Sequence, residues 1–511
     1  MGQQNFQPTT KTLYYRNAGE LSWSSLSITT VGANFDVTIP QQAVTLRGVE
    51  YYVYLSDGQQ EMTYPALDPA NKPAVIQVQV NNYTPALALQ GITYQMISVP
   101  LELTNPQIAS VLRDDYGEYD RTRWRLFRWE NGVYVEYPNI RATFTPGTAF
   151  WLVTHDGKSF DVDNGLSVDS SQPYSIILQP GWNQVANPFA FPIAPDTVNV
   201  PQGALEPPVY YDGSDYQYDM TIIEPWQGCF VLNKTIAPVT ILISPSAAIN
   251  PLAKSGSRLD IDTENEYLLQ LSARMPGTKL IDTQNYIGLR SHATEGRDAL
   301  DFAEAPPIGE YIQLSVIENE ARFAGNFKTM QGNGHDWELE ISTTLPFAKP
   351  VEVSLHETGQ LPDDCQLYIL DRDYNCSMPI EDHTFQVDFS TDFPVRHLKI
   401  LIGSPEYARS NNEGIPLTPF EYRLEQNFPN PFNSATTIGY QLARRSHVDL
   451  EIYNILGQRI RSIVDAVQNT GHHAVTWNGV DDAGNSVASG IYIYCLKTSD
   501  FSATHKLILI Q

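Results

Sequence analysis

Acidic runs, two nearby cysteines and a group of tryptophans are the residues in this chain whose types and spacing could do chemistry. Asp371-Arg372-Asp373-Tyr374-Asn375 sets side-chain oxygens at alternate positions, as the opening of a calcium-binding loop does. Such a loop needs glycine at its sixth position for the turn, and Cys376 stands there. Asp260-Ile261-Asp262-Thr263-Glu264 and Asp481-Asp482 are further oxygen-rich clusters. All three read as solvated turns, and no metal ligand is assigned. Cys365 and Cys376 flank Gln366-Leu367-Tyr368-Ile369-Leu370 and a polar turn at Asp371-Arg372-Asp373, so they could face each other across a hairpin. A bridge there depends on a register that spacing does not reveal.

Trp124, Trp129, Trp151 and Trp182 fall within one stretch. Exposed, they would stack on sugars; buried, they fill cores. Alternation puts Trp124 and Trp129 on opposite faces of one strand, which favours the core reading. Motifs that carry catalysis locally are missing: no His-Glu-x-x-His, no Gly-x-Ser-x-Gly and no phosphate-binding Gly-x4-Gly-Lys-Ser/Thr. The histidines are scattered apart from His472-His473, which read as exposed turn residues before a strand. No catalytic residue, cofactor or metal is expected, and a triad would have to be assembled by the fold.

The elements that must position these residues are bounded by composition. At roughly 150 residues per domain, 511 residues predict three or four domains. The 32 Lys and Arg against 58 Asp and Glu leave a formal charge of −26, which disfavours nucleic acid and anionic lipid as partners. With 42% apolar and 11% aromatic residues the chain is too rich for a disordered acidic segment. Nowhere do about 18 apolar residues run together, so no transmembrane segment is proposed. Met1 to Phe6 shows no basic stretch leading into an apolar one, so no export signal is visible. The chain is then either cytoplasmic or the C-terminal part of a longer exported precursor. Four cysteines are too few for a disulfide framework and lack the spacing of a zinc site.

Short alternating runs of Val, Ile, Thr, Tyr and Phe, broken by Gly, Pro, Asn and Asp, predict an all-β chain of tandem antiparallel β-sandwich domains. Trp124 to Tyr137 is the sharpest hairpin, turning at Asn131-Gly132. Ile108 to Leu112 predicts one helical turn. Residues 1–65 hold three strand-like runs, and the stretch Arg47-Gly48-Val49-Glu50-Tyr51-Tyr52-Val53-Tyr54-Leu55-Ser56-Asp57-Gly58 resembles fibronectin type III and immunoglobulin-like modules of bacterial surface proteins. The segment opens directly on a strand, which suggests N-terminal truncation. Pro65 to Pro73 reads as a linker.

Residues 75–245 contain an internal repeat. Tyr94 to Leu101 aligns with Trp182 to Phe189, and Pro146 to Val153 aligns with Pro225 to Leu232. Each half sets an aromatic hairpin before the second match, Phe127 to Tyr137 and Tyr210 to Tyr218, so the region reads as one duplicated aromatic-rich β module. After a linker at Pro245 to Gly256, residues 258–405 form a further β-sandwich. Its expected loops are Asp282 to Gly288 and Ala305-Pro306-Pro307, and its strands include Trp337 to Ile341 and Leu398 to Ile402. Ser404 to Pro419 reads as a boundary before the last domain, 420–511.

That last domain carries the most specific pattern. Tyr422-Arg423-Leu424-Glu425-Gln426-Asn427-Phe428-Pro429-Asn430-Pro431-Phe432-Asn433 opens it, Gly457 and Gly484 mark turns, and Ser489-Gly490-Ile491-Tyr492 and Lys506 to Gln511 close it. The segment resembles the C-terminal sorting domain of type IX secretion system cargo, overlapping the immunoglobulin-like module of flagellar hook-capping proteins. Carried over by that resemblance, the sorting motif comprises Asn427, Pro429, Asn430, Pro431, Phe432, Asn433, Gly457, Gly484, Gly490 and Tyr492. Independently of the family, Val448, Leu450 and Ile452 alternate with Asp449, Glu451 and Tyr453 as a half-buried strand requires. All three glycines are expected to supply turn geometry. The resemblance implies a protein that is secreted or held on the outer cell surface and recognised by the type IX export machinery at the outer membrane. A non-catalytic multi-domain region is expected. The alternatives are the accessory tail of a secreted peptidase or glycosidase whose catalytic domain lies upstream, and a carbohydrate-binding adhesin that contacts surface glycans.

Overall fold

The computed structural model describes residues 6–31, 34–195, 198–199, 203–218, 220–246, 259–345, 350–362, 365–378, 380, 383–390, 393–417, 422–443, 446–468, 471–499 and 501–510. The chain is all-β, built of antiparallel sheets that pack as sandwiches; the α-helices among the described residues are Ile108–Tyr116 and Pro405–Asn411. It divides into two compact units, one of residues 1–260 with Ala305–Gly309, the other of the remainder. Most of the linker expected at Pro245 to Gly256 lies outside the described residues.

The first unit opens on a sheet in which Thr10–Asn17 lies between Ser24–Ser27 and Val49–Ser56, with Glu61–Tyr64 added beyond. Tyr14 stacks on Tyr52 across the ladder at 4.6 Å. The chain turns away after Tyr64 as a linker would. It then returns through Ala74–Ile76, which pairs with the start of Val49–Ser56. The sheet therefore reaches past residue 65, because Val49, Glu50 and Tyr51 would otherwise be an unpaired edge. Ala18 joins the core cluster of Phe189 and Phe191, and Ser170 donates to Glu50 at 3.1 Å, so this sheet shares a core with the region that follows it.

In the repeat region the aligned sequences pair in the same register. Gln95–Ser98 is antiparallel to Ala149–Thr154, with Met96 opposite Trp151. The alignment carries Met96 onto Gln184 and Trp151 onto Phe230, and these two residues also face each other, in the pair Gly181–Ala186 and Gly228–Asn233. A second layer faces each pair: Gln79–Tyr83 on Val162–Ser167 in the first half, Tyr174–Leu178 on Val239–Ile243 in the second. Each half has its own core, around Val99, Leu126 and Phe150 in one and Val185, Phe189 and Ile241 in the other. Asn131 and Gly132 take φ of 52° and 83°, as the expected two-residue hairpin needs. The helical turn expected at Ile108 to Leu112 runs on to Tyr116, because Tyr116 is buried beside Val111 and Leu112 and keeps the apolar stripe going.

The second unit begins with one continuous sheet that folds over so that strands from both of its halves meet in a single core, with Leu269, Ile287, Leu314, Trp337, Val353 and Ile400 all buried there. Its one parallel contact among the described strands is Ile281–Arg290 beside Ala321–Thr329. Asp282 to Gly288, expected as a loop, lies inside the first of these strands. The Asp282 carboxylate is satisfied inside the sheet: Asn285 donates to it at 2.6 Å, and the Leu314 amide of a distant strand donates to its other oxygen. Within Ser404 to Pro419, expected as a boundary, residues 404–417 are described and include a short helix. The Ser404 side chain caps Pro405–Asn411 by accepting from the Tyr407 amide, and Ala408 and Ile415 bury against Tyr368 and Leu401.

Arg290 and Glu266 form a buried ion pair at 3.0 Å in this sandwich. Burial opposes ionisation of Glu266, yet bonds from Ser291 and the Asp262 amide, together with the Arg290 charge, hold its carboxyl down to about 2. The folded value lies below that of an unfolded glutamate, about 4.3. The stabilisation is therefore complete above the unfolded value and lost as pH falls toward the folded one. Stability followed by circular dichroism should decline in that acid window, and Glu266→Gln should flatten the decline. An identical acid limb in the variant would show that the pair is not its source.

Candidate functional site

Residues 422–510 make a sandwich of their own. One sheet runs Arg423–Leu424, Thr436–Leu442, Gly471–Trp477; the other runs Arg459–Gln468, Ser446–Asn454, Gly490–Lys497, Ser502–Leu509. Val448, Leu450 and Ile452 are fully buried between the sheets with Trp477 and Tyr494.

The opening motif fastens this sandwich by hooking onto its final strand. The Asn430 side chain behaves as a short piece of backbone: its amide donates to the Lys506 carbonyl at 3.3 Å and its oxygen accepts from the Ile508 amide at 2.9 Å. Two residues on, the Phe432 amide donates to the Ile508 carbonyl and the Phe432 carbonyl accepts from the Ile510 amide, both at 2.9 Å. The Phe432 ring is buried against Trp477. Asn427, also buried, donates from its side chain to Thr436 and to the Pro429 carbonyl, and the Asn427 amide donates to the Tyr494 hydroxyl. That hydroxyl donates in turn to the Glu425 carbonyl. Asn427, Pro429, Asn430 and Phe432 are thus brought together, while Pro431 and Asn433 face solvent beside them.

The other motif residues lie apart from this clasp. Gly457 and Gly484 turn with φ of 76° and 83°, as expected. Gly490 does not: it is the first residue of a strand and pairs with Leu509. Its place in a ladder, rather than a turn, is what the sequence reading missed. Tyr492 is buried against Trp477 and donates to the Ala488 carbonyl at 2.7 Å. Phe428, in the middle of the motif, is 81% exposed at the rim of a shallow groove of about 450 Å³ lined also by Glu425, Gly439, Tyr440 and His473.

The remaining chemical candidates resolve into structure. Asp371 is not a solvated turn residue; it is 2% exposed. Arg396, 0% exposed, reaches the carboxylates of both Asp371 and Asp373 and the Asp388 carbonyl, with its guanidinium 4.2 Å from the Tyr374 ring centre. The calcium-like spacing therefore serves an arginine. Cys376 pairs with Asp371 across a tight turn, so Cys365 sits further along the strand, roughly 20 Å away at 3.3 Å per residue. That is beyond the reach of a disulfide, and both residues are thiols. Asp262 and Asp481 accept amides within their own turns, as solvated turns do. Trp124 and Trp151 are buried, and Trp129 and Trp182 are half-buried with their rings against Phe230. Burial pushes the Cys229 thiol up to about 12, far from a nucleophile's range. Two groupings that sequence reading did not assemble are Asp114 with Asp161 and Asp163, and His447 with Asp449 and Asp465. Each needs strand or helix neighbours that no linear spacing announces.

Two facing sheets of three and four strands around one core place the last domain in the immunoglobulin-like class. Within it, residues 430–500 match the family described as the FlgD Ig-like domain, a match that starts at the clasp residue Asn430. No protein with a curated description matches the chain. Among solved structures it is similar to dimeric latent PorU from Porphyromonas gingivalis, at 11% identity and a TM-score of 0.16, over 68% of this chain and 35% of that one. It is also similar to PorZ of the same organism, described as an essential surface component of the type IX secretion system, at 12% identity and a TM-score of 0.14, over 91% of this chain and 69% of that one. The chain thus spans about a third of the length of that PorU. With TM-scores this low, the fold assignment rests on the sheets themselves.

Proposed function

We propose that this chain is a non-catalytic, multi-domain region of a secreted or cell-surface bacterial protein, and that residues 420–511 direct its type IX export and surface attachment. The observation that carries the reading is the clasp: the motif Asn427 to Phe432 is joined to the final strand by hydrogen bonds, with Phe428, Pro429 and Pro431 exposed, on a domain whose residues 430–500 match the FlgD Ig-like family. The export machinery would read that joined surface, with Phe428 its most exposed apolar element. The upstream sandwiches act as spacer or stalk. Structural ion pairs such as Arg396 with Asp371 brace them.

The test is to express the full chain behind a cleavable export signal in a host with type IX secretion and in an isogenic strain without it. External protease should cleave the protein on intact cells of the first strain only. Equal accessibility in both strains would sink the proposal.

A further inference from the structure

The first unit contains a tyrosine-lined site that already holds a peptide. Residues 305–309, Ala-Pro-Pro-Ile-Gly, belong to this unit although they come from far along the chain. They form no ladder, and Ala305 and Pro306 are buried. The Pro306 carbonyl accepts hydrogen bonds from two hydroxyls, those of Tyr134 and Tyr216. The Ala305 amide donates to the hydroxyl of Tyr218 at 3.2 Å, and Gly309, at φ of 70°, lies so close to the Tyr94 ring that a side chain there would overlap it.

The two hydroxyls on Pro306 come from equivalent places in the duplicated halves. Tyr134 pairs with Trp129 across the first aromatic hairpin, and Tyr216 pairs with Tyr211 across the second. The duplication thus aims one tyrosine from each half at a single carbonyl, and the two hydroxyls also contact each other. An extended proline segment suits such a site. Proline fixes φ and restrains the residue before it, so little freedom is lost on binding, and Pro307 has no amide to offer a sheet edge. A carbonyl in such a segment has no internal partner and is free for a side-chain donor. Burial, first, and the neighbouring Tyr134 raise the Tyr216 hydroxyl well above its ordinary range, so it stays protonated as a donor.

We infer that the junction of the two repeats is a recognition site for extended, proline-containing peptides, and that residues 305–309 are its built-in occupant. The site is distinct from the C-terminal clasp and does not depend on the export reading.

The test uses the full chain with Pro306→Ser and Pro307→Gly, which should vacate the site, and a fluorescein-labelled peptide copying residues 302–311 as probe. The probe should bind the vacated chain. The unaltered chain should bind it at least about tenfold more weakly, because the resident segment competes at a high effective concentration. Adding Tyr134→Phe and Tyr216→Phe to the vacated chain should weaken binding roughly tenfold through two lost hydrogen bonds. Absence of binding to a vacated chain that keeps its β spectrum and cooperative melt overturns the inference, as does equal affinity in the phenylalanine pair. Should the vacated chain not fold, hydrogen exchange on the otherwise unaltered chain decides. Tyr134→Phe with Tyr216→Phe should speed exchange of the Ala305 amide about tenfold, and unchanged protection overturns the inference.

Discussion

Arg396→Leu should destabilise the large sandwich of the second unit by about 3–5 kcal/mol, the range for removing one partner of a buried charge pair. Leucine keeps the apolar stem of the side chain but leaves Asp371, 2% exposed, and Asp373 without their cation. It also forfeits the contact with Tyr374 and the donor to the Asp388 carbonyl. The turn at 371–376 is held to the strand Val395–Gly403 through that guanidinium, so the strand pair Gln366–Asp371 and Cys376–Ser377 should loosen first. Calorimetry should place the midpoint about 10 °C lower, at 2–4 °C per kcal/mol for a domain of this size. Arg396→Lys should recover only part of the loss, since an ammonium does not reproduce the forked geometry that serves two carboxylates. Asp371→Leu added to Arg396→Leu should recover more, because the stranded charge is then gone. A midpoint unchanged in Arg396→Leu would mean that the turn is held by its own amide bonds to Asp371 instead.

Phe432→Ala should destabilise the C-terminal domain by about 3–5 kcal/mol, the usual range for emptying a buried aromatic site. The ring is 2% exposed and lies 5.7 Å from Trp477, at the place where the opening segment meets Leu509. Asn430→Ala is the gentler probe: it removes two hydrogen bonds at a partly buried site and should cost about 1–3 kcal/mol. Hydrogen exchange would separate the two effects. Asn430→Ala should expose the Ile508 amide, which donates to the Asn430 side chain, while the Ile510 amide, bonded to the Phe432 backbone, stays protected. Phe432→Ala should expose both. Equal protection of Ile508 in Asn430→Ala and the unaltered protein would show that the last strand is held by its ladder with Gly490–Lys497 alone.

What could be read in the sequence was what is local or repeated. Asn131-Gly132 announced its own turn because both residues tolerate positive φ. The alternation of Val448, Leu450 and Ile452 specified a strand face, and the internal alignment carried Met96 opposite Trp151 onto Gln184 opposite Phe230. What could not be read depends on partners distant in the chain. The acidic run at Asp371 has a cation some 25 residues away, so a buried ion pair looked like a solvated turn. Asp282 to Gly288 looked like a loop because polar residues normally avoid buried strands, and the Asp282 carboxylate is accommodated there by donors from Asn285 and from the Leu314 amide 32 residues away. Ser404-Pro405 is an exception: serine before proline is a helix-start signal that was present and overlooked. Asn427, Asn430 and Phe432 were singled out through family resemblance alone. Their work in holding the last strand became visible only in the fold.

The clasp also sets an order of events in time. Asn430 and Phe432 have their partners in residues 506–510, so nearly the whole domain must be synthesised before the opening segment can settle. Contacts between such distant positions form late and slow the final step of folding. Until then the edge that Ser502–Leu509 will cover on Gly490–Lys497 stays open, and an open edge of this kind is a template for pairing with other chains. Within this domain the clasp is therefore the last contact to close, and a product that stops short of residue 506 would leave that strand edge open.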